Sequence, residues 1–380
     1  MVSLDRSFTG ATFNPSTLRL LPVVRAPPAR GSLTAHTCLF QKVKSIMKQL
    51  LLTLSLCCFT FAVQAQAPID NPQGALQGAN HYTFRVGDIE ITSLSDGTVP
   101  QDLHTLLHDT TDQKTDALLH DAFLSNPVET SINAFLFRDA GRVVLVDTGA
   151  GDFFGPGYGG KLLESLASVH VSPNQITDVL LTHAHDDHMG GLVRNGQLVF
   201  PHAIVHLSAP DLAFFLDRSN SARAHYAMSY FDQAYTALKP EQDAGKIVPF
   251  HSGEEVVPGV EAVIHPGHTP GSTFYILRSH GQSITFIGDI IHVAAVQAPA
   301  PEITIAYDVD PAKAAAVRET SFAEFARDRT LVAVPHLPFP GVGHLKANGD
   351  GYTWVPILYE NRDIGRDATF MDPHKNGDKP

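Results

Sequence analysis

Residues 180–191 read Leu180-Leu181-Thr182-His183-Ala184-His185-Asp186-Asp187-His188-Met189-Gly190-Gly191, and this stretch decides the fold class. The segment TDVLLT before it is a short apolar run that predicts a buried strand. A loop leaving the end of that strand points His183 and His185 at one ion. Asp187 and His188, entering the next helix, reach a second ion beside it. Imidazole and carboxylate suit zinc, and also manganese, iron or cobalt. Gly190 and Gly191 allow another backbone to come close.

Two ions need more ligands than this cluster holds. His268 lies in the turn-rich HPGHTPGS, Asp289 ends the strand TFIGD, and His336 ends the strand LVAVPH, the last clear strand of the chain. Each sits at the C-terminal end of an apolar strand, where open α/β sheets build their sites.

The rest of the pattern alternates strands with helices. YTFRV and IEITSLSD flank a tight turn at Gly87-Asp88, and INAFLFR and VVLVD form a second hairpin ending at Asp147. A glycine-rich loop spans Gly149 to Gly160, and KLLESLASVH has helical spacing. Residues 209–238 and 311–328 read as helices, 101–127 as irregular helix, and AIVHLS, VEAVIH, STFYILRS and SITFIGD as strands. One large α/β domain with two sheets accounts for this order.

H-x-H-x-D-H, the later G-H-T-P-G, the G-D and the final strand-end histidine resemble the metallo-β-lactamase superfamily over roughly residues 82–360. The resemblance implies a four-layer αββα sandwich of two mixed sheets flanked by helices, and two metal sites. His183, His185 and His268 would hold one ion, Asp187, His188 and His336 the other, with Asp289 bridging. It also implies that Asp147, of Asp147-Thr148-Gly149, and Thr182 support ligand imidazoles from outside.

The stretches SDGTV, LVDTGAGDFFGP, GDIIHVAAVQ, HLPFPGVGH and GYTWVPI resemble the branch containing methyl parathion hydrolase, exported hydrolases of phosphotriesters, aryl esters and lactones. By that likeness Phe154, Phe215 and Tyr230 line an apolar pocket. Ile305, Tyr307 and Leu107 fall on pocket loops. His292 stands where the organophosphate-hydrolysing member has an aliphatic residue. It is either a proton donor or substrate contact, or a packing residue. These departures favour a flatter carbonyl substrate, an aryl ester or aryl lactone.

Composition bounds the alternatives. The 380 residues hold 27 basic and 39 acidic side chains, 20 His and 3 Cys. Residues 47–67 (MKQLLLTLSLCCFTFAVQAQA) combine preceding lysines, an apolar core and an Ala65-Gln66-Ala67 cleavage signal, the pattern of a secretory signal peptide. The expectation is a periplasmic or secreted protein with no stable membrane span after cleavage. Residues 1–46 read as an extension ahead of the true start, 68–81 as a linker and 82–380 as the hydrolase domain. All three cysteines lie before residue 68, so the remainder offers no thiolate nucleophile or disulfide. Seven of the basic and one of the acidic side chains lie in the first 67 residues. The remaining 20 and 38 give a formal charge of −18, which disfavours nucleic acid as a partner.

The function expected is a two-metal hydrolase. A water between two dications loses a proton near neutral pH and attacks an ester or lactone carbonyl. Asp187, Asp289 and His292 are the candidate catalytic side chains. A phosphotriesterase, an acyl-homoserine lactonase and a non-catalytic metal-binding scaffold are the alternatives, and a homodimer is the assembly the resemblance implies.

Overall fold

Consecutive residues of the strands face two different cores. In Val128–Asp139, Ala134 and Leu136 join one cluster while Phe135 and Phe137 join another. The same split separates Leu145 from Val144 and Val146, and Val179 from Leu180. A strand buried on both faces reads as a continuous apolar run, which is how INAFLFR, VVLVD and TDVLLT read.

The computed structural model describes residues 80–361. The signal-peptide reading at 47–67, the extension at 1–46 and the linker up to residue 79 lie outside the described residues. Among the described residues no helix is long and apolar enough to cross a membrane.

Two seven-stranded mixed sheets pack face to face. The first runs His81–Val86, Ile89–Gln101, Val128–Asp139, Arg142–Val146, Asp178–Leu180, Ile204–Ser208, Ile247–Phe250. Its first three pairings are antiparallel and its last three parallel. The second runs Glu254–Val257, Val260–Ile264, Thr273–Ser279, Gln282–Phe286, Val332–Ala333, Val342–Asn348, Gly351–Pro356. Phe135 and Phe137 meet Phe286 between the sheets, with ring centroids 5.4 and 6.3 Å apart. Helices Leu162–Ser168, Ala209–Leu216 and Met228–Asp243 cover the outer face of the first sheet through Leu166, Phe215, Phe231 and Leu238. Helix Pro311–Asp328 covers the second through Phe322 and Phe325. The four layers are the αββα sandwich of the metallo-β-lactamase fold.

Several local expectations change. Residues 209–238 form three helices rather than one stretch, because Asp217 is extended after Ala209–Leu216 and His225 takes a left-handed conformation (φ 53°) after Ser219–Ala224. LVAVPH pairs only at Val332–Ala333, so His336 lies beyond the strand, and two further strands follow it. Those strands, like Glu254–Val257, carry too little regular alternation to stand out in sequence.

The parallel half of the first sheet is pinned at one end by Asp178. Its carboxylate accepts hydrogen bonds from Arg142 (2.8 Å), Thr177 (2.7 Å) and His206 Nε2 (3.0 Å), tying three adjacent strands. Burial alone would raise this carboxyl, but His206, Thr177 and Arg142 outweigh it and hold the pKa at about 2. An unfolded aspartate titrates near ~3.9. The stabilisation is therefore complete above about pH 4 and is lost as pH falls toward 2. Asp178→Asn should cost about 2 kcal/mol at pH 7 and flatten the acid limb between pH 4 and 2. Urea denaturation at pH 7 and pH 3 checks this; an unchanged acid limb contradicts it.

Candidate metal centre

The sequence after Leu180 cannot continue the strand and also point its histidines at one place, so the chain turns at Thr182. The turn is held by Asp147. Its backbone is left-handed (φ 59°), a region Asp tolerates better than most residues. Asp147 Oδ1 accepts the Thr182 backbone N–H at 2.8 Å, and Oδ2 accepts the Thr182 hydroxyl at 2.8 Å. The Asp147-Thr148-Gly149-Ala150 segment then packs directly on Gly190-Gly191. A Cβ on Gly191 would meet Thr148 O at 2.0 Å, and one on Gly190 would meet Ala150 O at 2.2 Å.

Five imidazoles face one point, and each has its other nitrogen committed elsewhere. His188 Nδ1 donates to Asp147 Oδ2 (2.9 Å), His268 Nδ1 to Asp308 Oδ1 (2.8 Å) and His336 Nδ1 to Ser131 O (2.9 Å). The Thr182 hydroxyl has given its proton to Asp147, so at 3.1 Å it accepts from His183 Nδ1. The Tyr226 hydroxyl donates to Tyr307 O (2.7 Å), so at 2.9 Å it accepts from His185 Nε2. Each partner fixes the tautomer of its ring and aims the remaining nitrogen inward.

The inward nitrogens fall into two groups. His183 Nε2 and His268 Nε2 lie 3.1 and 3.0 Å from His185 Nδ1. His188 Nε2 and His336 Nε2 each lie 3.4 Å from an Asp187 oxygen. Asp289 Oδ2 stands between, 2.9 Å from His336, 3.2 Å from His188 and 3.4 Å from His268. All are buried except Asp187, which is partly open. His188 Nε2 and Asp289 Oδ1 are buried with no hydrogen-bond partner, the condition a divalent cation would relieve. The residues present therefore fit a metal.

The electrostatics divide differently, His268 siding with His188 and His336. Burial drives His183 and His185 well below the usual imidazole range. Burial also opposes charge on His188, His268 and His336, but Asp289 and the neighbouring aspartates overcome it, lifting His188 well up and His268 to about 9. Asp289 itself is held well below its usual range despite burial, by the charges of His188, His336 and His183. Protons and divalent cations thus compete for the same inward nitrogens.

A cavity of about 190 Å³ opens onto this cluster. Phe154, Tyr230, His292 and Tyr307 line it, together with Gln101, Ser229 and Gln233, which the sequence did not single out. Phe215 and Ile305 do not line it. Phe215 is fully buried and stands edge-on to the His185 ring at 5.6 Å, supporting the ligand from the core. Ile305, like Leu107, packs in a satellite core with Leu103 and Val296, because the two residues pair across a short ladder. His292 is a buried ring stacked 5.1 Å from His336, with neither nitrogen hydrogen-bonded and Nε2 3.2 Å from Asp289 Oδ2. Burial lowers its pKa to about 4.

Three buried aspartates were not legible as site residues. Asp308 orients His268. Asp96, at a bulge in its strand, accepts from Ala150, Gly160 and Leu162 N–H at 2.8–2.9 Å and so fixes the glycine-rich loop that carries Phe154. Asp211 accepts from Ala184 N (3.0 Å), Thr269 Oγ1 (2.9 Å) and Gly271 N (2.6 Å). It therefore joins the His183–His185 loop to the His268 loop. Asp96 alone fell in a stretch, SDGTV, that the sequence singled out, and there only as part of a family resemblance.

The model of the Metallo-beta-lactamase superfamily matches residues 127–336. The crystal structure of AbOPH, a hydrolase in the beta lactamase superfamily, is 35% identical, with a TM-score of 0.71 over 75% of this chain and 100% of that one. AidC, a dizinc quorum-quenching lactonase in complex with a product N-hexanoyl-L-homoserine, is 26% identical, with a TM-score of 0.68 over 74% of this chain and 99% of that one. The uncharacterized protein YobT of Bacillus subtilis (strain 168) is 30% identical over 161 residues, 42% of this chain. The match spans 62% of that relative's length.

Asp211→Ala should strand three buried donors and cost about 3 kcal/mol, near 1 kcal/mol for each lost bond. Chemical denaturation of the purified variant measures this, and a loss under about 1 kcal/mol would show that the two ligand loops do not depend on it.

Proposed function

This chain belongs to the metallo-beta-lactamase superfamily, and we propose that within it the protein is a two-metal hydrolase of compact carboxylic esters or lactones, with aryl lactones and aryl esters favoured. The observation that carries the reading is the set of five imidazoles, each tied at one nitrogen and converging at the other beside Asp187 and Asp289. His183, His185 and His268 would hold one divalent ion. Asp187, His188 and His336 would hold a second, with Asp289 serving both. Zinc is the favoured metal, since three- and four-ligand sets of histidine with carboxylate suit it. When bound, such ions polarise a substrate oxygen and supply an activated water as nucleophile.

The chain's own residues do the rest. Phe154, Tyr230 and Tyr307 give the cavity aromatic walls against which a flat ring can pack. Burial keeps the His292 ring neutral, so its unpartnered nitrogens offer a hydrogen bond to a substrate oxygen beside Asp289. The same ring lines the cavity beside Asp289, where a polar imidazole favours a planar carbonyl over a tetrahedral phosphotriester. That supports an ester or lactone substrate over a phosphotriester.

A second reading is an acyl-homoserine lactonase, favoured by the similarity to AidC. It uses the same residues and differs only in the tail that the cavity must take.

The test is a substrate panel on protein of measured metal content, containing an aryl lactone, an aryl ester, an acyl-homoserine lactone and a phosphotriester. We expect two zinc ions per chain, turnover of the aryl lactone or ester above the others, and loss of activity on chelation. Asp289→Ala should lower kcat/KM by more than about 100-fold, beyond what losing an outer partner of a ligand costs. His292→Leu should lower carbonyl turnover relative to phosphotriester turnover. No turnover of any panel member by the two-zinc protein would refute the proposal.

A further inference from the structure

Arg318 is the largest fully buried side chain in the described structure, in the middle of helix Pro311–Asp328. A guanidinium removed from water costs several kcal/mol unless its donors and its charge are answered, and helix packing alone would be served better by leucine. Its contacts show what it does instead. Nε donates to Ile290 O, the residue after Asp289, and Nη1 donates to Pro301 O (2.8 Å) and Ile303 O (2.7 Å). Nη2 makes no hydrogen bond but lies 3.9 Å from Asp308 Oδ2.

Asp308 is the carboxylate whose other oxygen accepts from His268 Nδ1 at 2.8 Å. Its Oδ2 also accepts from Ile305 N at 3.1 Å. Gln297 closes the ring by accepting from His292 N (2.8 Å) and donating to Ile303 O (3.1 Å). One buried cation therefore grips the chain beside Asp289, the turn at 301–303 and the carboxylate that aims His268.

We infer that Arg318 is a positioning residue of the metal centre, fixing His268 through Asp308 and Asp289 through Ile290 O so that the two ligands keep their separation. This rests on the two-metal reading above. Arg318 touches neither substrate nor ligand atoms; it acts through the residues that do. Lysine at 318 would keep the charge but not the fork, since one ammonium cannot reach three carbonyls and a carboxylate in these directions.

The experiment uses the full protein loaded with two equivalents of zinc and titrated with a chromogenic chelator. Arg318→Lys and Asp308→Asn should each surrender one zinc equivalent roughly 10- to 100-fold more readily than wild type, the range expected when an outer partner of a metal ligand is lost. Asp178→Asn, destabilised at the far end of the first sheet, should hold both as wild type does. That control separates positioning from general loss of stability. Arg318→Lys retaining both zincs with wild-type affinity overturns the inference. If that variant does not accumulate folded, Asp308→Asn decides alone, and wild-type retention there overturns it equally. A wild type that takes up no zinc would instead overturn the two-metal reading beneath it.

Discussion

The carboxylate of Asp289 is the constraint around which the rest is built. It is buried, and its Oδ2 lies within 3.4 Å of four imidazole nitrogens. Such a charge is costly in the interior unless opposite charge surrounds it. Three of these rings, His188, His268 and His336, are anchored behind, at Asp147, at Asp308 and at the Ser131 carbonyl. Ser131 and Asp147 belong to the first sheet, whereas His268, Asp289 and His336 follow strands of the second. The site cannot form unless the sandwich has closed, and the sandwich buries an uncompensated carboxylate unless the site forms.

The layers explain where that closure happens. Alternating faces send Phe135, Phe137 and Phe286 between the sheets and leave the strand ends free to carry polar side chains. Loops from those ends must then be held without a regular ladder. Asp96 fixes the glycine-rich loop, Asp211 joins the two histidine loops, and Asp147 fixes the turn at Thr182. Each is a buried carboxylate fed by backbone N–H groups, so each substitutes for missing strand pairing. Arg318 performs the mirror task for carbonyls.

The pocket was less legible than the ligands, for reasons visible in particular residues. Phe215 and Tyr230 are both aromatics on helices of the same region. Tyr230 reaches the cavity, whereas Phe215, on a different helix, faces the core and backs His185. Ile305 and Tyr307 are two residues apart, yet only Tyr307 lines the cavity because Ile305 pairs with Leu107 and turns inward. Helical and loop spacing does not say which neighbour faces a cavity until the packing partners are known. Tyr226 shows the converse: its hydroxyl orients His185, but nothing adjacent in sequence marks it.

By itself, the sequence determined which His and Asp side chains are candidate ligands and most of the strands that present them. H-x-H-x-D-H after an apolar run, with His268, Asp289 and His336 after later runs, is a local pattern that survives any packing detail. The order of apolar runs likewise carried an α/β domain with two sheets, and the resemblance implied its four layers. Only the tertiary structure decided which nitrogen of each imidazole faces inward, because that depends on hydrogen-bond partners distant in the chain: Asp147 lies 41 residues from His188, Asp308 lies 40 from His268 and Ser131 lies 205 from His336. It alone also revealed the buried aspartates and Arg318, whose roles arise from what surrounds them rather than from their neighbours in sequence.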